Sequence, residues 1–418
     1  MAETSANTTA GTVRGDLRTE LKQLAALFLR LGFTAFGGPA AHIAMMEDEV
    51  VRRRGWLSSA TFLDMLGATN LIPGPNSTEM AIHIGHRRAG FIGLVVAGAC
   101  FIVPAVAMTI VIAWAYVKFG KLPQVGGVLY GVKPVIIAVV LQALWRLGRS
   151  AVKSRLIAAV AIIATAAGLL GVNDIAVLFG AGLLMVAVHP IFERPRTGVT
   201  LAGAASVSAA TSTAGSSAIG KAGARTMGAA PIAKATAAIV ATPFALSTLF
   251  LFFLKVGSIL FGSGYVLLAF LESDLVDRLR WLTQGQLLDA VAVGQMTPGP
   301  VFCTATFVGY ILGGLAGAAV ATIGIFLPAF FFVAVSGPIL PYLRRLPITA
   351  VFLDGVNAGA LALMAVVEWQ LSRAALVDVT TIVLALVSAV LLLRLRLNSV
   401  WLVLLGGAAG AAAGWIGG

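Results

Sequence analysis

From Ala89 to Val117 the chain carries no charged residue. A helix needs about 20 apolar residues to cross a bilayer, so this run alone is long enough. Similar apolar runs recur along the sequence, with few segments of strand-like alternation, which selects helices over a barrel. Of the 418 residues, 59% are hydrophobic and 11% charged, with a mean hydropathy of +0.96. A soluble domain carries roughly 25% charged residues, and a soluble fold of this size could not cover its surface. The sequence therefore reads as an all-α polytopic membrane protein.

The net charge of +12 would raise nucleic acid as a partner in a soluble chain. Here the basic residues fall between apolar runs, in VVRRRGW (50–56), GHRRAG (85–90) and WRLGRSAVKSR (145–155), as the positive-inside rule expects. No nucleic-acid partner is expected. Residues 1–17 read as a polar tail, with no basic region leading into a short apolar stretch, so no cleavable signal peptide is expected. Cys100 and Cys303 both stand in apolar surroundings and support neither a disulfide framework nor a metal cluster.

Two apolar stretches are broken by one motif: NLIPGPNSTE at 70–79 and QMTPGPVFCT at 295–304. Proline inside a helix costs about 3 kcal/mol. Non-helical backbone at membrane depth is tolerated only where protein or a water-filled cavity satisfies its polar groups. The motif is one part of a longer duplication. A shift of 225 positions sets FLRLGFTAFGG (28–38) on FLKVGSILFGS (253–263). It also sets Glu47 on Glu272, Arg53 on Arg278, Trp56 on Trp281, Asp64 on Asp289 and Pro73-Gly74-Pro75 on Pro298-Gly299-Pro300. After a slip of one residue, Gly85 meets Gly309, Pro104 meets Pro328, Gly131 meets Gly355 and Trp145 meets Trp369. The chain thus holds two homologous repeats, expected over 18–190 and 236–418.

Each repeat predicts an apolar helix ending in a glycine break (18–38; 238–264), a polar connection and the broken Pro-Gly-Pro segment (59–85; 283–310). A long apolar helix follows (89–117; 311–335), then three more (125–147, 155–171, 173–190; 348–371, 378–394, 399–416). The last of these contains GGAAGAAAG, small residues suited to helix packing. Segment 191–235, rich in Ala, Gly, Ser and Thr, reads as a cytoplasmic linker. Its GSSAIGKA (215–222) falls one residue short of a phosphate-binding loop, has Ala222 where magnesium needs a hydroxyl, and follows no strand. Loop charges differ between the repeats. Arg87 and Arg88 have no charged counterpart, and Asp174 stands where the other half has Arg394 and Arg396. Lys118/Lys121 and Arg344/Arg345 are positive in both. On balance the repeats are expected to be inverted in the membrane, as in many secondary transporters.

A broken helix offers free N–H groups and the positive end of a dipole to an oxyanion. The candidate binding residues are therefore those at the breaks: Pro73, Gly74, Pro75, Asn76, Ser77 and Thr78 in the first half, and Thr297, Pro298, Gly299, Pro300 and Thr304 in the second. Glu79 either couples a proton or closes a capping box with Asn76, the capping role being favoured. Gly37-Gly38 and their partners Gly262-Ser263 are either a second site element or a tight packing point. Arg30 and Lys255 stand at matched positions on apolar helices, where a cation needs a partner, a pathway or room to snorkel. Lys133, His83 and His86 have no counterparts of their kind, and Glu47 and Glu272 lie in polar connections beside arginines.

The chain resembles the chromate ion transporter family in its long, two-domain form. The resemblance rests on FGGPAAHIAMMEDEVV followed by RRRGWL (36–57), NLIPGPNSTEMAIHIG (70–85), FGSGYVLLAFLESDLV (261–276) and AVGQMTPGPVFCTATFVGY (292–310), and covers about 20–415. It implies a bacterial inner-membrane protein that exports chromate, a tetrahedral dianion shaped like sulfate, and so confers chromate resistance. It marks Gly37, Gly38, Pro73, Gly74, Pro75 and their repeats. Ser263 and Val301 depart from the first-half pattern, which places more of the binding chemistry in half one. The expected partners are chromate, sulfate as a related anion, the lipid bilayer and a second copy in a homodimer, with no cofactor or metal. Two alternatives are a sulfate-class importer or exchanger and an anion channel. An intramembrane enzyme is not expected, since there is no HExxH, no GxSxG and no paired intramembrane aspartates.

Overall fold

The computed structural model describes residues 6–36, 38–120, 122–192, 244–261, 264–343, 346–395, 397 and 399–416. They form helices and connections, with no strand among the described residues. In the first half the helices are α1 (Ala6–Thr34), α2 (Gly38–Glu47), α3 (Ser59–Thr69), α4 (Asn76–Phe119), α5 (Pro123–Ala151), α6 (Arg155–Leu169) and α7 (Asp174–Phe192). In the second they are α8 (Leu246–Ile259), α9 (Leu267–Phe270), α10 (Gln284–Met296), α11 (Thr304–Leu343), α12 (Pro347–Ala375), α13 (Val379–Arg394) and α14 (Ser399–Ile416). The expected linker lies outside the described residues except for 191 and 192. Helix α1 starts well before the expected boundary at 18, because nothing in 6–17 breaks the turn that the buried stripe Leu24, Leu27, Phe28 and Leu31 anchors.

The duplication reaches details that sequence matching alone does not show. The polar connection between the first helix and the break holds α2 and a π-helical turn, Asp48–Arg53. Its mate in the second half is the π-helical turn Leu271–Arg278. The turns end alike: the N–H groups of Trp56 and Leu57 both donate to Val50 O, and those of Trp281 and Leu282 both donate to Leu275 O. The burial of His42, Met46 and Val50, four apart, holds α2 down.

Helix α4 spans 44 residues, about 66 Å if straight at 1.5 Å per residue, twice the bilayer core of about 30 Å. It is not straight. Ala89 (φ −135°) and Gly90 (φ +60°) interrupt it, and a Cβ at Gly85 would lie 2.2 Å from Gly93 O. Residues eight apart on a straight helix are about 12 Å apart, so the chain doubles back. Helix α11 turns at Gly313 and Gly314 with nearly the same angles, and Gly309 meets Gly317 in the same way.

Each first helix packs on the long arm of its own repeat. Gly32 abuts Phe101 O and Pro104, and Gly257 abuts Ile325 O and Pro328. The later helices are exchanged: α7 and α6 pack on α12, while α14 and α13 pack on α5. The exchange is tight because it is lined with small residues. A Cβ at Gly131 would lie 2.0 Å from Gly406 O, and one at Gly355 would lie 2.5 Å from Ala181 O. One buried cluster consequently draws on both halves, from Ile102 to Val403. Among the described residues, four helical stretches are long and apolar enough to cross a membrane: Asn76–Phe119, Val125–Arg149, Val301–Ser336 and Ile348–Ala375. Large apolar side chains such as Phe91, Ile162, Leu386 and Trp401 stay exposed. A surface so apolar is stable against lipid and not against water.

Candidate functional site between the repeats

The two Pro-Gly-Pro breaks face the opposite repeat. Gly74 N–H donates to Leu260 O at 2.7 Å, and Gly299 N–H donates to Ala35 O at 2.9 Å. Leu260 and Ala35 are themselves matched positions, so the halves exchange one hydrogen bond each. Both glycines have positive φ, +144° and +92°, which side chains rarely adopt. A Cβ at Gly299 would come within 2.7 Å of the Ala105 Cβ, and one at Gly74 within 2.3 Å of Glu79 Oε1. Only glycine fits at either place.

Beside the crossing lies a cavity of about 870 Å³, within the range of about 300–1,000 Å³ for small-molecule sites. Both repeats contribute matched residues to its wall: Phe36 with Phe261, Asn70 with Gln295, and Asn76 with Val301. Thr297, Gly299, Gly38 and His42 add to it, α5 and α12 supply Gln142, Arg146, Asp354 and Asn357, and Lys153 comes from the connection after α5. Asn76 Nδ2 donates to Asn70 Oδ1 at 2.9 Å. Lys153 faces Asp354 across 3.7 Å. Arg146 has no ion pair among the described residues, which leaves it as the cation of the wall free to meet an anion. His42 is buried, and desolvation holds its ring near a pKa of about 4 against a hydrogen bond at Ala35 that acts the other way. It is therefore neutral at physiological pH and adds no charge to the cavity.

Of the residues singled out from sequence, Gly38, Asn76, Thr297 and Gly299 line this cavity. Pro73, Gly74, Pro75, Pro298 and Pro300 shape the crossing beside it. Ser77 and Thr78 are buried in α4, and the Thr304 hydroxyl donates to Val301 O at 2.8 Å. Gly37, Gly262 and Ser263 lie outside the described residues. Arg30 and Lys255 do not line the cavity; each is held by a carboxylate. Arg30 Nη2 sits 2.6 Å from Glu49 Oε1, and Lys255 Nζ sits 2.5 Å from Asp274 Oδ2. Glu49 and Asp274 are again matched positions, on the two π-helical turns. Burial alone would raise the Glu49 carboxyl; hydrogen bonds and charge from Arg30 and Arg54 outweigh it and hold the group below its usual range. The capping box is not formed either. Pro75 precedes α4, Asn76 is already inside the helix, and no side chain caps it.

Sequence reasoning missed Asn70, Gln142, Arg146, Lys153, Gln295, Asp354 and Asn357. Asn70 and Gln295 carried a signal, since two amides fall together under the shift of 225. Arg146 and Lys153 carried none, because they belong to a basic loop that topology explains.

Two repeats of broken helices closing on a shared cavity define a multi-pass helical transporter. The family model described as "Chromate transporter" matches residues 22–187 and again 247–411, and the chain belongs to that family. It is 32% identical over 391 residues to a chromate transport protein of Cupriavidus metallidurans, covering 93% of this chain and 92% of the relative. It is 33% identical over 352 residues to a chromate transport protein of Pseudomonas aeruginosa, with 84% and 81% covered. A probable chromate transport protein of Synechococcus elongatus is 28% identical over 373 residues, with 88% and 89% covered. No solved structure matches the chain.

Proposed function

We propose that the protein exports chromate across the bacterial inner membrane and thereby confers chromate resistance. The observation that carries this reading is the cavity shared by the two repeats, with Arg146 in its wall and in no ion pair among the described residues, in a chain of the chromate transporter family. The dianion binds Arg146 and the amides of Asn70, Asn76 and Gln295; the Thr297 hydroxyl, which donates to Val293 O at 2.9 Å, is not available as a donor. Arg146 supplies the charge, and the amides supply directional hydrogen bonds without adding net charge. Charge-assisted bonds of this kind are worth about 1.5–3 kcal/mol each.

The repeats are inverted in this reading, so that rocking one against the other opens the cavity to each side in turn. The bonds from Gly74 to Leu260 and from Gly299 to Ala35 are the contacts across which that motion takes place. Expelling a dianion from an inside-negative cell runs electrically downhill, at about 2.3 kcal/mol per charge per 100 mV. Sulfate shares the charge and shape of chromate and is the related substrate of the site.

Radiolabelled chromate uptake into everted inner-membrane vesicles, with and without an imposed potential, tests the reading. Protein-dependent uptake blocked by excess sulfate is the expected result. Absence of protein-dependent uptake would overturn it, and uptake untouched by sulfate would show that the site reads more than charge and shape.

A further inference from the structure

Glu79 begins the second turn of α4, three residues after Asn76 in the cavity wall. It is 0% exposed, and neither carboxyl oxygen has a hydrogen-bond partner among the described residues. Its Oε1 lies so close to Gly74 that a Cβ there would be 2.3 Å away. The side chain thus presses on the glycine of the first break.

No charged side chain among the described residues comes close enough to act on this carboxyl. Helix α4 packs against α1, α2, α3, α10, α11 and the turn Val301–Cys303. The charged and titratable groups of those elements nearest the crossing have other engagements. Arg30 holds Glu49, Glu47 faces Arg52, and Asp289 accepts from Tyr116 and faces Lys133. His42 meets the Phe101 ring edge-on, and Asp64, too, is engaged. Cys303 is buried. On its own helix His83 stands one turn further along.

An ionised carboxylate buried with neither counter-charge nor donor costs several kcal/mol, while the neutral acid avoids that cost. The matched position in the second repeat is Thr304, which does not ionise. The feature therefore occurs once, in the first repeat.

We propose that Glu79 is the proton site that couples this transporter to the proton gradient, on the reading of the adjacent cavity as the anion site. A dianion beside Asn76 repels an ionised Glu79 and tolerates a protonated one. Proton and anion consequently bind together and cross in the same direction, and Glu79 returns its proton to water when the repeats expose it; in export the pair leaves with one net negative charge, so the membrane potential drives it and an acidic exterior opposes it. Each ligand tightens the other by one common factor. His42 does not contribute, since its ring stays neutral down to about pH 4. A second buried acid without a partner, Glu368, lies one turn beyond the wall residue Met364, and is the rival the experiment must separate.

The test uses the full-length protein in liposomes with the potential clamped at zero. Chromate uptake is measured with and without an imposed pH gradient, acid outside, and the ratio is taken for wild type, Glu79→Gln, Glu79→Thr, Glu368→Gln and protein-free liposomes. Chromate itself takes up a proton near neutrality, so the protein-free ratio is the baseline. The expected result is a ratio well above baseline for wild type and Glu368→Gln, and at baseline for both Glu79 variants. Glu79→Thr installs the residue that the second repeat holds at this position, which guards against a fold defect. Chromate binding to the purified protein at acid and alkaline pH reads the same linkage without turnover. Wild type should lose affinity at alkaline pH by a factor within about 5–150, relative to Glu79→Gln. A wild-type ratio at baseline despite chromate flux, a Glu79→Gln ratio equal to wild type, or a loss confined to Glu368→Gln would each overturn the proposal. Absence of wild-type flux and binding would overturn the anion site itself, and the coupling with it.

Discussion

Replacing Gly299 by alanine probes the crossing of the repeats directly. The backbone there has φ +92°, and holding a side chain in left-handed backbone costs about 1–2 kcal/mol. The new Cβ would stand 2.7 Å from the Ala105 Cβ, against a normal carbon–carbon separation of about 3.5–4.0 Å, and in ordinary contact with Gly32 O at 3.4 Å. Both neighbours belong to the opposite repeat, and relieving the overlap costs a further ~1–3 kcal/mol. The sum, about 2–5 kcal/mol, raises the unfolded population by between roughly thirty-fold and several thousand-fold at 1.4 kcal/mol per tenfold. Gly55→Ala is the matched control. Its φ is +59°, but nothing lies within 4 Å of the added Cβ, so it pays the backbone cost alone, about 1–2 kcal/mol. Thermal unfolding of both variants in one detergent should place Gly299→Ala clearly below Gly55→Ala. Equal melting temperatures would refute the close approach of the second break to α1 and α4.

Four other outcomes follow from the same geometry. Arg146→Gln should weaken chromate binding by tenfold or more, since a hydrogen bond to a charged group is worth about 1.5–3 kcal/mol, read by equilibrium binding to the purified protein. Arg30→Gln should leave that affinity unchanged and lower stability by no more than about 1 kcal/mol, because Arg53 and Arg54 still hold Glu49, each at 3.2 Å. Arg280, with φ +55°, occupies the position matched to Gly55, so Arg280→Gly should stabilise the protein by about 1 kcal/mol in the same melting assay. His42 in the unfolded chain takes up a proton below pH 6.5, whereas the buried ring resists until about pH 4. Stability linked to His42 is therefore complete above pH 6.5 and is lost as pH falls toward 4, by up to about 3 kcal/mol at 1.36 kcal/mol per pKa unit. His42→Phe should remove that part of the acid sensitivity.

Much of the architecture was legible because the chain states it twice. The register of 225 sets Pro73-Gly74-Pro75 on Pro298-Gly299-Pro300, and the two breaks exchange equivalent backbone hydrogen bonds with the opposite repeat. Arg30 and Lys255 were misleading because their carboxylates stand 19 residues away in the case of Lys255 and Asp274, on what read as a polar connection. The pairing was nonetheless present in the register, since both acids fall at matched positions. Arg146 and Asn357 are different. They reach the cavity only because α5 and α12 each pack among the later helices of the other repeat, and no local pattern encodes such an exchange. Glu79 lay between those cases: its sequence fits a capping box, but the proline before α4 moves Asn76 inside the helix and leaves the carboxyl without its expected partner.

The exchanged packing also bears on how the protein is made. Helix α5 leaves the ribosome early, yet the surface that covers it comes from α13 and α14, made well over 200 residues later. Until α14 has been made, Gly127 and Gly131 have only lipid or a chaperone against the groove that Gly406 and Gly410 later fill. The first repeat thus waits in the membrane half-assembled, and a chain truncated before α13 would lack a finished cavity even though its own Pro-Gly-Pro break is present.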